Sequence, residues 1–146
     1  MHERGYNRRM SARAFRFSCT GCGGCCTGRG DYYVAVTAEE QRRIRNLLEI
    51  SQAWFRRRYV TVLEDGTESL RWAGDRCVFL GPDQRCRVYA ARPAQCRDYP
   101  FWPEVVGSDA AWRREGKRCE GIGRGARVPI ARVRRQLGIR RRARKA

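Results

Sequence analysis

A small α+β domain with short hairpins and one main helix is the fold class this sequence predicts, and three observations predict it. The chain has 146 residues, 42% of them apolar and 10% aromatic, which suits a single domain with one core. One well-capped helical pattern lies among short runs of strand formers separated by turn residues. Eight cysteines occur in several groups and are the unusual chemical resource of the chain. The domain is expected over residues 12–122, with 123–146 as a flexible basic extension.

Phe15 and Phe17 alternate with arginines and predict a short strand leading to Cys19. Strand formers recur over Asp31–Val36. Thr37-Ala38-Glu39-Glu40 then reads as a capping box, in which the Thr37 hydroxyl accepts from the Glu40 amide and the Glu40 carboxylate reaches back. The helix that follows places Ile44, Leu47 and Leu48 on one face, predicted to be a core face. Ser51 is expected to start a second short helix carrying Ala53, Trp54 and Phe55. Runs at 59–63 and 69–72 flank Glu64-Asp65-Gly66-Thr67, a hairpin signal. A second hairpin is expected from 77–80 and 85–89 around Gly81-Pro82-Asp83-Gln84, bringing Cys77 near Cys86. Pro93 opens a short helix that Pro100 and Pro103 end. One further helix is placed at 129–137.

Charge is unevenly divided. Residues 1–18 carry five arginines against Glu3, residues 19–112 carry thirteen against twelve acids, and residues 113–146 carry fourteen basic side chains against two acids. The body is nearly neutral, and most of the formal net charge of +17 sits at the C-terminal end. Thirty of the thirty-two basic residues are arginine, a skew that codon bias alone can produce. No apolar run approaches the ~20 residues of a membrane span, and residues 1–18 lack a secretory apolar stretch, so a cytoplasmic protein is expected. The one histidine, His2, excludes His-based triads, H-E-x-x-H zinc sites and two-His-one-carboxylate iron sites.

The first cysteine group is Cys19-Thr20-Gly21-Cys22-Gly23-Gly24-Cys25-Cys26. Two overlapping C-x-x-C steps offer three sulfurs to one centre, and the glycines let the loop wrap an ion while backbone amides face the thiolates. Cys77, Cys86 and Cys96 can add ligands from a distance, with Cys119 as a further candidate. A disulfide framework fits an exported chain. A dithiol redox site needs one C-x-x-C opening a helix after a strand, which the glycines and the vicinal pair suit poorly. Metal binding accounts for most of the cysteines at once. C-x-x-C-x-x-C opens a bacterial ferredoxin run, yet here the next cysteine is adjacent and no Cys-Pro follows. An all-sulfur donor set serves either Zn²⁺ or an iron–sulfur cluster.

Phe17-x-Cys19-x-x-Cys22-Gly23-x-Cys25-Cys26, then Cys77-x-Phe79-Leu80, then Cys86-x-Val88-Tyr89-x-x-Arg92-Pro93-x-x-Cys96-Arg97-x-Tyr99-Pro100 resembles the YkgJ-type cysteine-cluster family over about residues 15–102. The resemblance implies a zinc- or iron-chelating domain. A similar module occurs in flagellin lysine methylases, which are far longer chains, so that function does not transfer by itself; a metal- or cluster-dependent, methylase-like enzyme acting on a protein stands as an alternative. Cys119 and the arginine-rich end lie outside the shared motifs.

Arg92, Arg97, Asp98 and Tyr99 surround Cys96 in sequence. The arginines can offset thiolate charge, and Asp98 or Tyr99 can serve as acid, base or hydrogen-bond donor beside the metal. A salt-bridged Arg–Asp pair and a packed tyrosine is the plainer reading and the one preferred. Residues 124–146 hold ten basic residues and no acid, which points to RNA or an acidic protein as partner, against an extension with no partner at all.

Overall fold

The computed structural model describes residues 15–28 and 33–145. In chain order the elements are β1 (Arg16–Phe17), a 3-10 turn (Gly24–Cys26), α1 (Ala38–Leu48), α2 (Gln52–Tyr59), β2 (Val60–Val62), β3 (Glu68–Leu70), β4 (Trp72–Ala73) and β5 (Arg76–Cys77). A second 3-10 turn (Tyr89–Ala91), α3 (Ala94–Asp98), α4 (Pro103–Val106), α5 (Asp109–Gly116), β6 (Ile122–Arg127) and α6 (Ile130–Lys145) complete them. The strands pair as β1–β6, β2–β3 and β4–β5, all antiparallel. This is the expected α+β class. No described helix is long and apolar enough to cross a membrane.

Backbone contacts sort the chain into two units, residues 23–97 and residues 1–22 with 98–146. In the first, α1 begins at the predicted capping box: the Glu40 amide donates to Thr37 Oγ1 at 3.2 Å and the Thr37 amide to Glu40 Oε2 at 2.9 Å. Its core face is shifted from the expected one. Ile44 is buried, but Leu47 is 47% exposed, and Gln41 takes the inner position. A polar side chain is tolerated there because its amide donates to Val36 O and to Glu68, so no buried donor goes unpaired. Ser51 caps α2 as expected, with Phe55 buried and Trp54 exposed under Arg57 and Arg58.

The Asp65-Gly66 hairpin forms, pairing Val60 with Leu70 and Val62 with Glu68. Asp31 and Tyr32 lie outside the described residues; the rest of the expected 31–36 strand contributes only a bridge from Ala35 to Ser69. The second hairpin differs from expectation. Cys77 pairs with Trp72 across a tight turn at Gly74-Asp75, while 77–89 keeps just a bridge between Leu80 and Cys86. Gly74, with φ of 66°, supplies the left-handed conformation a two-residue turn needs, and so closes the nearer hairpin first. The core of this unit is Val34, Val36, Ile44, Phe55, Tyr59, Val60, Leu70, Cys77, Phe79 and Val88. Its centre is a ring cluster, with Tyr59 and Phe79 centroids 4.7 Å apart and Phe55 stacked on Phe79.

The second unit is built on Phe15, Phe101 and Trp112, with Phe15 edge-on to Trp112 at 4.9 Å. Pro103 starts α4 at its first turn, where a missing N–H costs nothing, instead of closing the preceding helix. Helix α5 was not legible from apolar spacing, although Ser108 caps it by accepting from the Ala111 amide. Residues 123–145, set apart by composition, continue β6 and form α6, where Val133 and Leu137 are buried.

Candidate metal centre

Five of the eight cysteines, Cys25, Cys26, Cys77, Cys86 and Cys96, belong to residues 23–97, and four separate stretches of chain deliver them. Cys25 and Cys26 lie on the 3-10 turn capped by Gly23. Gly23 has φ of 77°, and a Cβ there would stand 2.6 Å from the Gln84 carbonyl oxygen and 3.1 Å from Leu80 Cδ1. Only glycine lets this turn press against the loop that leads into Cys86. Cys77 ends the β4–β5 hairpin and packs into the core, and Cys26, Cys86 and Cys96 pack against that core.

Cys96 rides on α3, and two side chains hold that helix in place. The Ala94 amide donates to Glu40 Oε1 at 2.9 Å, so the capping-box carboxylate that starts α1 also satisfies an orphan amide at the start of α3. Gln95 accepts from the Ala35 amide and donates to Tyr33 O at 2.8 Å. The position of Cys96 therefore depends on the same local signal that predicts α1.

The sulfurs interact with one another. Cys26 is hydrogen-bonded to both Cys25 and Cys86, which raises its own pKa. The same bond, assisted by Arg92, lowers Cys25 to about 7. Cys86 is lowered to about 6 by its bond to Cys26 and by the charges of Arg92 and Arg87. Burial pushes the thiols of Cys77 and Cys96 up, and the neighbouring sulfurs push them further. Two thiols lowered by their bonds to Cys26, with two more thiols buried beside them, form a set whose ionised forms a bound cation would favour. Zinc and iron–sulfur centres both take thiolate ligands, so the donor chemistry fits them. Among the described residues, no group of three or more His, Cys, Asp or Glu side chains is disposed as a ready-made cage.

Arg92 also stacks on Tyr89, 3.7 Å from the ring centroid, and donates from Nε to the Tyr89 carbonyl. Arg97 is exposed and Asp98 half-buried. Tyr99 is buried, with its hydroxyl bonded to the Glu115 carboxylate; burial and that bond raise its pKa, and Cys119 adds to the shift. Cys19 and Cys22 are exposed and Cys119 is buried. Sequence reasoning missed Arg87 and Glu115. Arg87 stands next to Cys86, an adjacency that could have flagged it, whereas nothing local marks Glu115.

Residues 18–120 match the family described as "CxxCxxCC: Putative zinc- or iron-chelating domain". The match runs beyond residue 102, where the recognised motifs end, and takes in Cys119. The chain is also 29% identical over 90 residues to an uncharacterized protein, MJ0661, of Methanocaldococcus jannaschii. That alignment covers 61% of this chain and 47% of the relative, so the chain spans a little under half the relative's length. No solved structure gives a significant match. With about seven-tenths of its length inside the family pattern, the chain belongs to the CxxCxxCC family of zinc- or iron-chelating domains.

Proposed function

We propose that this protein binds zinc or an iron–sulfur centre through the thiolates of Cys25, Cys26, Cys77, Cys86 and Cys96, and that the metal organises the fold of residues 23–97. The observation that carries this reading is that four of these five thiols are built into or against the core: Cys77 is 8% exposed within the apolar cluster, and Cys26, Cys86 and Cys96 pack on it. A ligand set embedded in a core couples metal affinity to folding free energy. A zinc tetrahedron takes four sulfurs, and this stretch of chain supplies five. Arg92 and Arg87 temper the charge of the thiolates, and reduced thiols in this number suit a cytoplasmic setting.

The test is anaerobic purification with elemental analysis and visible absorption. Zinc without colour identifies a zinc site, and iron with broad visible bands identifies a cluster. Cys86→Ser and Cys96→Ser should each lose this metal and most near-ultraviolet circular dichroism together. A wild-type chain that keeps its near-ultraviolet spectrum and melting temperature after exhaustive chelation under reducing conditions overturns the proposal.

A second reading concerns the C-terminal helix. Helix α6 carries eight arginine or lysine residues and no acid, and Arg132, Arg134 and Arg135 are exposed around buried Val133 and Leu137. Such a helix suits contact with RNA or an acidic protein. Affinity for a polyanion should fall steeply with salt and drop when Arg132, Arg134 and Arg135 become glutamine. Unchanged affinity in that variant removes this reading.

A further inference from the structure

Helices α1 and α2 border a cleft of about 210 Å³ within residues 23–97. From α1 it is lined by Ala38, Gln41, Arg42 and Arg45, which stand three or four residues apart and so share one face. Phe55 and Arg56 line it from α2, where they meet that face. Ala38 contributes only a methyl group, so the space is not filled from that side. The joint between the two helices is fixed. Glu49, with φ of 55°, ends α1, the Ile50 amide donates back to Arg45 O at 3.1 Å, and Ser51 caps α2 by accepting from the Trp54 amide at 3.2 Å. The cleft is therefore a preformed feature of the helix pair.

Three guanidiniums line this cleft, and two of them are already compensated. Arg42 pairs with Glu39 at 2.6 Å, and Arg56 pairs with Glu68, which also accepts from Gln41. Arg45 differs from both. It is half-buried in the lining, and among the described residues its side chain has no carboxylate, carbonyl or aromatic partner. Gln52, which lines the cleft from the start of α2, likewise has no side-chain hydrogen bond among the described residues. Three arginines against two carboxylates leave one uncompensated positive charge beside the apolar side chain of Phe55. A single charge suits a monoanion, and the planar fork of arginine matches a carboxylate. A phosphate dianion would leave a charge unmatched and gain nothing from Phe55. A cavity of about 150 Å³ suffices to hold benzene, so this cleft admits a ring with a carboxylate attached.

We propose that the cleft between α1 and α2 binds a small organic carboxylate of about the size of benzoate, its carboxylate held by Arg45 and its apolar body lying against Phe55. Gln52 supplies a further donor to the carboxylate. The site uses none of the cysteines and stands apart from the reading of the chain as a metal binder.

Full-length ¹⁵N-labelled protein is titrated with sodium benzoate at physiological ionic strength and followed by amide chemical shifts. Residues of α1 and α2 should shift saturably, with a Kd of about 1 mM. Arg45→Gln should weaken binding about 10-fold or more while leaving the rest of the spectrum unchanged. Arg45→Lys keeps the charge, loses the fork and should fall between. Ala38→Leu fills the cleft without altering its charge and should abolish binding. Arg57→Gln removes an exposed arginine outside the lining and should bind as wild type does. Benzyl alcohol lacks the charge and inorganic phosphate lacks the apolar body, so neither should displace benzoate. Wild-type affinity in Arg45→Gln or in Ala38→Leu overturns the proposal. Equal losses in Arg45→Gln and Arg57→Gln do so as well, since they reduce the effect to a general attraction toward an arginine-rich surface. Phosphate that competes as strongly as benzoate refutes the ligand class, and the absence of saturable shifts up to about 20 mM benzoate refutes the site.

Discussion

Glu40 is a residue through which a local sequence signal reaches the proposed metal centre, and removing its carboxylate separates the two roles. In Glu40→Ala two backbone amides lose their acceptor: Thr37 N, 2.9 Å from Oε2, and Ala94 N, 2.9 Å from Oε1. A hydrogen bond to a charged group contributes about 1.5–3 kcal/mol when buried and less where water competes. The Thr37 bond is exposed and belongs with ordinary capping effects of about 0.5–1 kcal/mol. The Ala94 bond is part-buried, so about 1–2 kcal/mol is reasonable for it. The variant should therefore lose about 1.5–3 kcal/mol in urea unfolding of the metal-loaded protein, with an unchanged m-value. Since α3 carries Cys96, zinc competition against a chromophoric chelator should show affinity weakened about 5- to 20-fold, the equivalent of about 1–2 kcal/mol. Thr37→Ala removes only the local acceptor of the Glu40 amide and is the control, with a loss of about 1 kcal/mol and no change in zinc affinity. Glu40→Gln keeps one carbonyl oxygen and should fall between. If Glu40→Ala and Thr37→Ala match in stability and both keep wild-type zinc affinity, Glu40 does not position the Cys96 helix.

Gly23→Ala combines a left-handed φ of 77° with a Cβ only 2.6 Å from the Gln84 carbonyl, whereas Gly66→Ala has φ of 85° and open space. The first should cost about 2–4 kcal/mol and the second about 1–2 kcal/mol in the same unfolding assay, and equal costs would show that the close approach at Gly23 imposes no constraint. The carboxyl of Glu68 is held below its ordinary 4.5 by hydrogen bonds from Arg56 and Gln41. A depressed folded value means that its contribution is complete above pH 4.5 and disappears as pH falls through that lower value. The stability gap between wild type and Glu68→Gln should accordingly be constant near neutrality and shrink below pH 4.5, and a gap that stays level down to pH 3 contradicts the assigned role.

Much was legible in the sequence because it was local. The Thr37–Glu40 capping box, the Ser51 cap and the Asp65-Gly66 hairpin are interactions between residues two to four apart, and each formed as read. The cysteine motifs likewise sufficed for the family, since their residue types and spacing are written in the sequence regardless of fold. Interactions that span the chain were decided only by tertiary structure. Gln41 displaces Leu47 from the core because Glu68 arrives to bond it, and Glu40 reaches Ala94 across 54 positions. The division of the cysteines is the largest such effect. Cys22 and Cys25 are three residues apart, yet they fall in different units, because Gly23 packs against the Leu80–Gln84 loop while Gly121 draws Ser18 to a strand about a hundred residues away. Spacing along the chain cannot report such contacts, since loop closure costs only slowly more with length and the winning partner is the one whose surface admits a bare backbone.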